Sequence, residues 1–339
     1  MDSKERVKRA INFDHPDRPP ISHAILPSAI PRHGQALLDI IAEVHEDFGW
    51  DFLPDLPPEK YPPYYKEGRN RDGFGTLWEC SADGEYGTPV EMPLSDPDWK
   101  GYDAYRWPDF EVRPTEYRLY SGHMEGDDPR YYARGGWITF FEEMQQLRGF
   151  ETLLMDLALE TPEFERFKED TLAFNLRHLD KWLQWDYDGL HFADDWGSQI
   201  SMMISPDLWR KHFKPAYRTM FDKVISAGVD VHFHSDGYII DIIPDLLDIG
   251  VKVINCQTNC MDTERIGKLF RDKVCFRTDL DRQNVMIFGT PRDVKEHIRS
   301  VFRALGSFRG GVIACGEVGR DTPLENIRAM YEEFMAFRY

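Results

Sequence analysis

Positive charge is in short supply in this chain. Its 339 residues hold 41 Lys and Arg against 59 Asp and Glu, a formal net charge of −18, and no stretch concentrates the cations. General affinity for nucleic acid or an anionic membrane is not expected, because both rest on neutralising phosphate. Long apolar runs are missing too. Met1-Asp2-Ser3-Lys4-Glu5-Arg6 opens on charge rather than on a signal segment, and no span reaches transmembrane length. Cysteine is scarce and odd in number, five in all, so a disulfide framework is not expected and a reduced, cytoplasmic protein is. No glycine-rich dinucleotide or phosphate-loop fingerprint follows the early strands, and there is no heptad array or low-complexity tract.

Core material is plentiful: 42% of residues are hydrophobic and 14% aromatic. A short amphipathic helix is expected over residues 3–13, broken by His15-Pro16-Asp17-Arg18-Pro19-Pro20 ahead of a strand at 21–25. Residues 54–130 are rich in Pro, Gly, Tyr and Trp and read as an irregular decoration with short strands. From Tyr131 onward, strand-like runs near 131–135, 189–194, 229–234, 251–256, 273–278 and 310–315 alternate with helical periodicity. That alternation signals βαβ units and a parallel sheet. Adding one or two early strands gives about eight, which favours a closed (β/α)8 TIM barrel over an open sheet. The expected organisation is one α/β barrel domain over residues 1–339, with 54–130 as its insertion.

In such barrels the strand C-terminal ends and the following loops supply the active site. Here those ends read Asp194-Asp195-Trp196-Gly197-Ser198-Gln199, then His232 to Gly237, then Asn255-Cys256-Gln257, then Arg277-Thr278-Asp279, and last Cys315-Gly316-Glu317. His234, Cys256 and Cys315 supply one imidazole and two thiolates, and three protein ligands with one open position are the usual arrangement at catalytic zinc. Glu317 or Asp236 is then a fourth ligand or a partner orienting His234. Alternation turns one of Asp194 and Asp195 into the barrel, where burial raises a carboxyl's pKa for acid/base work, and Asp279 is assigned the same chemistry. Trp196, Gln199 and His232 are assigned to substrate, with His232 also a candidate for the layer beneath His234. Bland readings compete: a buried Cys is often a small hydrophobe, and a strand-end Asp often serves a turn or cap. Thr322-Pro323-Leu324-Glu325 reads as a capping box at a helix start.

Several separated motifs share one resemblance. Asp194-Asp195-Trp196-Gly197-Ser198-Gln199, Ile204-Ser205-Pro206, His234-Ser235-Asp236-Gly237, Asp281-Arg282-Gln283, Gly289-Thr290-Pro291 and Asp321-Thr322-Pro323-Leu324-Glu325 resemble, in that order, the uroporphyrinogen decarboxylase superfamily. The resemblance implies a (β/α)8 barrel. The metal-free decarboxylases of that superfamily carry Met-Arg-Gln-Ala-Gly-Arg near the N-terminus, whereas this chain has Ser22-His23-Ala24-Ile25-Leu26-Pro27-Ser28 there. The chain is more similar to the cobalamin-dependent methyltransferase branch, whose zinc motif is His-x-Cys plus a distant Cys on the last strand. His234 and Cys315 match, while Asp236 stands at the middle Cys. The resemblance thus implies zinc, a corrinoid on a partner protein and methyl transfer to or from a small substrate. The alternatives are a metal-independent decarboxylase using Asp194 or Asp195, and a non-catalytic barrel binding a small ligand or a corrinoid protein. The aromatics between Tyr61 and Tyr132 are candidates to line a pocket for an aromatic ether or a corrin ring, or simply to build core.

Overall fold

The computed structural model describes residues 1–48, 58–112 and 130–339. In chain order its strands are β1 (Ala24–Ile25), β2 (Gly68–Arg71), β3 (Leu77–Cys80), β4 (Thr88–Glu91), β5 (Arg134–Ile138), β6 (Gly189–Ala193), β7 (Asp230–Ser235), β8 (Val251–Cys256), β9 (Cys275–Arg277), β10 (Val312–Ile313) and β11 (Glu317–Val318). The chain divides into two compact units. One comprises Met1–Asp55, Pro114–Trp137 and Asp186–Tyr339; the other comprises Leu56–Arg113 and Ile138–Trp185.

In the first unit, β5 to β10 lie side by side in sequence order in one sheet, and the pairing from β6 to β10 is parallel throughout. The ring then closes through short segments. Ile21 bridges Ala314, and β1 pairs in parallel with β11. The Asp47 N–H donates to the Ile21 carbonyl at 2.9 Å, and Phe48 bridges Tyr132 just ahead of β5. Eight strand segments complete a (β/α)8 barrel, as the alternation of apolar strands and amphipathic helices predicts.

The N-terminal helix Ser3–Ile11 plugs the end of the barrel opposite the strand C-termini. Val7 and Ile11 join Phe48, Tyr132, Val253, Cys275 and Ile313 in one buried cluster, so Cys275 is core packing. An ion network fixes that helix. Asp47, fully buried, accepts from Arg6 Nη1 at 2.6 Å, from Arg18 Nη1 at 2.8 Å and from the Ile21 N–H at 2.8 Å. Two cations and a backbone donor compensate one buried carboxylate, which makes Asp47 costly to neutralise.

Helices begin where cap chemistry says they should. Thr161, Ser205 and Thr290 cap helices that each start on a proline, and Thr290 with Asp293 forms a reciprocal capping box. The box expected at Thr322 does not form. The last helix starts at Leu324, and the Thr322 hydroxyl accepts the Gly319 N–H at 3.3 Å, so that threonine tightens the preceding turn. No described helix is long and apolar enough to cross a membrane.

The second unit holds the antiparallel sheet β2-β3-β4 and the helices Phe141–Arg148, Phe150–Leu159 and Pro162–Trp182. Fully buried Arg148 pairs with Asp156 at 2.7 Å and stacks 3.7 Å from the Trp99 ring centroid. Phe74, Trp107, Phe167 and Phe174 pack with one another, so these aromatics build that unit's core.

Candidate metal centre at the strand ends

Alternation along β6 decides which of two adjacent carboxylates reaches the barrel mouth. Phe192 faces the helix layer, where it packs edge-on against Phe221, with ring centroids 4.8 Å apart. His191 and Ala193 therefore point inward, and continuing the alternation turns Asp194 out and Asp195 in. Asp194 is buried and accepts the Tyr217 hydroxyl at 2.6 Å. Asp195 instead meets β7, where the register pairs Ala193 with His234 and brings Asp236 alongside. The Asp236 N–H donates to Asp195 Oδ1 at 2.7 Å.

Two glycines allow the loops after β6 and β7 to touch. A Cβ on Gly237, whose φ is +76°, would lie 2.2 Å from the Gly197 backbone, and one on Gly197 would lie 2.2 Å from the Tyr238 nitrogen. Only paired glycines permit that approach, and it fixes Asp195 beside Asp236.

The result is a converging trio. Among the described residues, Asp195, His234 and Asp236 are the one group of His, Cys, Asp or Glu able to hold a metal, with ligand atoms all within 4.8 Å of one another. His234 Nε2 is 3.6 Å from Asp195 Oδ1 and 3.6 Å from Asp236 Oδ1. A tetrahedral zinc with bonds of ~2.0–2.1 Å has ligand–ligand edges of about 3.3–3.4 Å, so the spacing fits. Asp236 Oδ1 is buried and has no hydrogen-bond partner, as a ligand atom awaiting a cation would be.

His234 is held in the required tautomer. Asn255 donates its Nδ2–H to the Arg277 carbonyl at 2.9 Å, which turns its Oδ1 to His234 Nδ1, 2.7 Å away. Nδ1 must then carry a proton, and Nε2 is the nitrogen turned toward the two carboxylates. Orientation of a ligating imidazole by its second nitrogen is the usual support at metal centres.

Arg282 offsets part of the carboxylate charge. Its Nη2 pairs with Asp236 Oδ2, and its Nη1 with Glu317 Oε2 at 2.7 Å. Asp279 is buried close by, and burial above all pushes its carboxyl up to about 7. Asp236 and Glu317 push it further up, whereas Arg282 and His234 oppose the rise. A carboxyl that holds its proton near neutrality suits general acid–base chemistry.

The other residues expected at the site take different places. Neither Cys256 nor Cys315 joins the ligand group. Cys256 pairs in register with Ser235, which faces away from the barrel to bond the Trp196 N–H, while the inward position beside His234 belongs to Asn255. Burial pushes the Cys256 thiol up. Cys315 is buried, and its backbone is clamped by the Thr278 hydroxyl on both its N–H and its carbonyl. Glu317 reaches the mouth as the partner of Arg282. Trp196 is fully buried among Trp209, Phe213 and Tyr217. Gln199 is exposed and bonds Gln257 at 3.2 Å. His232 lies one layer below His234, where its Nε2 bonds the Tyr132 hydroxyl at 2.9 Å and burial holds it neutral. Asn255 and Arg282 went unassigned as site residues, because an amide and a loop arginine carry no ligand signature. The Gly197–Gly237 contact joins two loops forty residues apart and leaves no local pattern.

Comparison with known proteins bears on the fold and the family. Over its full length the structure resembles a methyltransferase from Methanosarcina mazei, with a TM-score of 0.68, 14% sequence identity and coverage of 99% of this chain and 98% of that one. At that identity the likeness speaks for the fold. A dihydropteroate synthase from Xanthomonas albilineans, solved with 4-aminobenzoic acid, aligns with 42% of this chain and 52% of its own at 12% identity and a TM-score of 0.31. Among curated proteins, none matches the sequence. The model of the uroporphyrinogen decarboxylase (URO-D) family matches residues 135–337, which include β6 to β11 and every residue of the trio. The barrel with its polar strand ends is thus that of a known family, and the chain belongs to the uroporphyrinogen decarboxylase family.

Proposed function

We propose that this protein is a metal-dependent enzyme of the methyltransferase type, moving a methyl group between a small substrate and a corrinoid carried by a partner protein. Asp195, His234 and Asp236 hold one divalent cation, zinc in the first instance. The observation that carries this reading is the convergence of the two carboxylates on Nε2 of His234. When bound, the cation supplies Lewis-acid polarisation of the substrate heteroatom. Asn255 keeps His234 aimed, and Arg282 holds Asp236 by its other oxygen, leaving Oδ1 for the site. Asp279, with its pKa near 7, takes or gives a proton at the substrate atom that loses or gains the methyl group.

The donor set bears on the acceptor. A trio of one nitrogen and two oxygens is harder than a site of two thiolates and an imidazole, and so better suited to an oxygen- or nitrogen-linked methyl group than to a thiol. Protein purified without chelators is expected to carry about one equivalent of metal. His234→Ala and Asp236→Asn are expected to lose it, and methyl transfer from methylcobalamin should fall with it. Metal-free wild type that releases carbon dioxide from a porphyrinogen would replace this reading with the decarboxylase one. Neither metal nor turnover, with corrinoid-protein binding kept, would replace it with a binding barrel.

A further inference from the structure

Trp137 sits in β5 with 59% of its surface exposed, an unusual setting for an indole in a barrel strand. Its ring centroid is 5.1 Å from that of His191 and 6.3 Å from that of His234, so the open face borders the metal trio. An exposed aromatic beside convergent polar groups is a common form of ligand surface. His191 supplies the second observation. It is 4% exposed, it points into the barrel from β6, and its Nδ1 has no hydrogen-bond partner. A buried polar atom in that state is open to a partner from outside the chain.

We propose that Trp137 and His191 form the substrate subsite of this centre, and that it takes an oxygen-bearing aromatic ring, a phenol or an aryl methyl ether. The indole offers a flat apolar face for stacking. The imidazole offers a ring nitrogen to the ligand's oxygen. An indole would also accept an ammonium group. The unpartnered His191 Nδ1 decides between them, because a phenol or ether oxygen can hydrogen-bond to an imidazole, whereas a quaternary ammonium carries neither donor nor acceptor. The subsite rests on the proposed methyl transfer for its use, but its binding can be read separately.

Calorimetric titration of the full-length protein with 2-methoxyphenol tests this. Wild type is expected to bind, Trp137→Ala to bind about tenfold more weakly or worse, and Trp137→Phe to stay within about threefold, because an aromatic face is kept. His191→Phe should weaken 2-methoxyphenol but not toluene. Tetramethylammonium should not compete. Trp137→Ala should carry as much metal as wild type, and Asp236→Asn, expected to lose metal, should still bind the ring. Ring binding by wild type that carries no metal as purified would thus leave the subsite standing while the metal reading fell. Equal affinity of wild type and Trp137→Ala, no binding by wild type, competition by tetramethylammonium, or binding of methoxycyclohexane as tight as that of the aromatic would each overturn the subsite.

Discussion

Strands β6 and β7 run into carboxylates and an imidazole, whereas β8 and β10 run into thiols. All four endings lie at the same end of the barrel, and by residue type the thiols look the better zinc ligands. Geometry reverses that order. Asp195, His234 and Asp236 converge, with one buried oxygen unpartnered, while Cys256 faces away from His234 and Cys315 stays outside the group. A residue of ligand type at a strand end becomes a ligand only when strand alternation and register aim it at the others.

The comparison breaks first at the trio. His234→Ala or Asp236→Asn should weaken metal binding by about 100-fold or more, since each removes one of three donors. Cys256→Ala and Cys315→Ala should leave the metal content of purified protein unchanged. Loss of metal in either cysteine variant, with the trio variants unaffected, would invert the account. Asn255→Ala should cost about 10–100-fold in metal affinity by freeing the His234 ring, measured by competition with a chromophoric chelator.

Adjacent aspartates sharpen the contrast further. Tyr217→Phe removes the hydroxyl that Asp194 accepts and should lower unfolding free energy by about 1–3 kcal/mol in urea, with metal content intact. Asp195→Asn should do the reverse, sparing most stability and losing metal. A metal loss in Tyr217→Phe equal to that in Asp195→Asn would mean that the two carboxylates are not divided between packing and site.

Asp279 adds an effect with a sign. In metal-free protein its pKa is about 7, above the ordinary 3.8, so the folded state binds more protons than the unfolded one between those values. Its contribution to stability is fully present below pH 3.8 and is lost as pH rises through about 7. Asp279→Asn should therefore flatten the fall in urea stability between pH 5 and pH 8, by about 1–3 kcal/mol. An unchanged pH profile would place the titration elsewhere.

Much of the fold was legible because its signals are periodic. Val231, Phe233 and their counterparts alternate with inward residues, and proline-started helices separate the strands. The segment 46–48 was not legible, since three residues carry no period and only the Asp47 and Phe48 contacts reveal it as barrel. At the site, His234 stood out by type and position. Asp195 could not be told from Asp194, because strand alternation says that one faces inward but not which, until Phe192 is seen against Phe221. Asn255 and Arg282 act through other residues, and such roles show only once their partners are in place.

X-ray absorption at the metal edge of zinc-loaded protein tests the central claim most directly. The account predicts a first shell of nitrogen and oxygen alone at about 2.0–2.1 Å, with imidazole scattering from one histidine. One or two sulfur scatterers at about 2.3 Å would contradict it and return the site to Cys256 and Cys315.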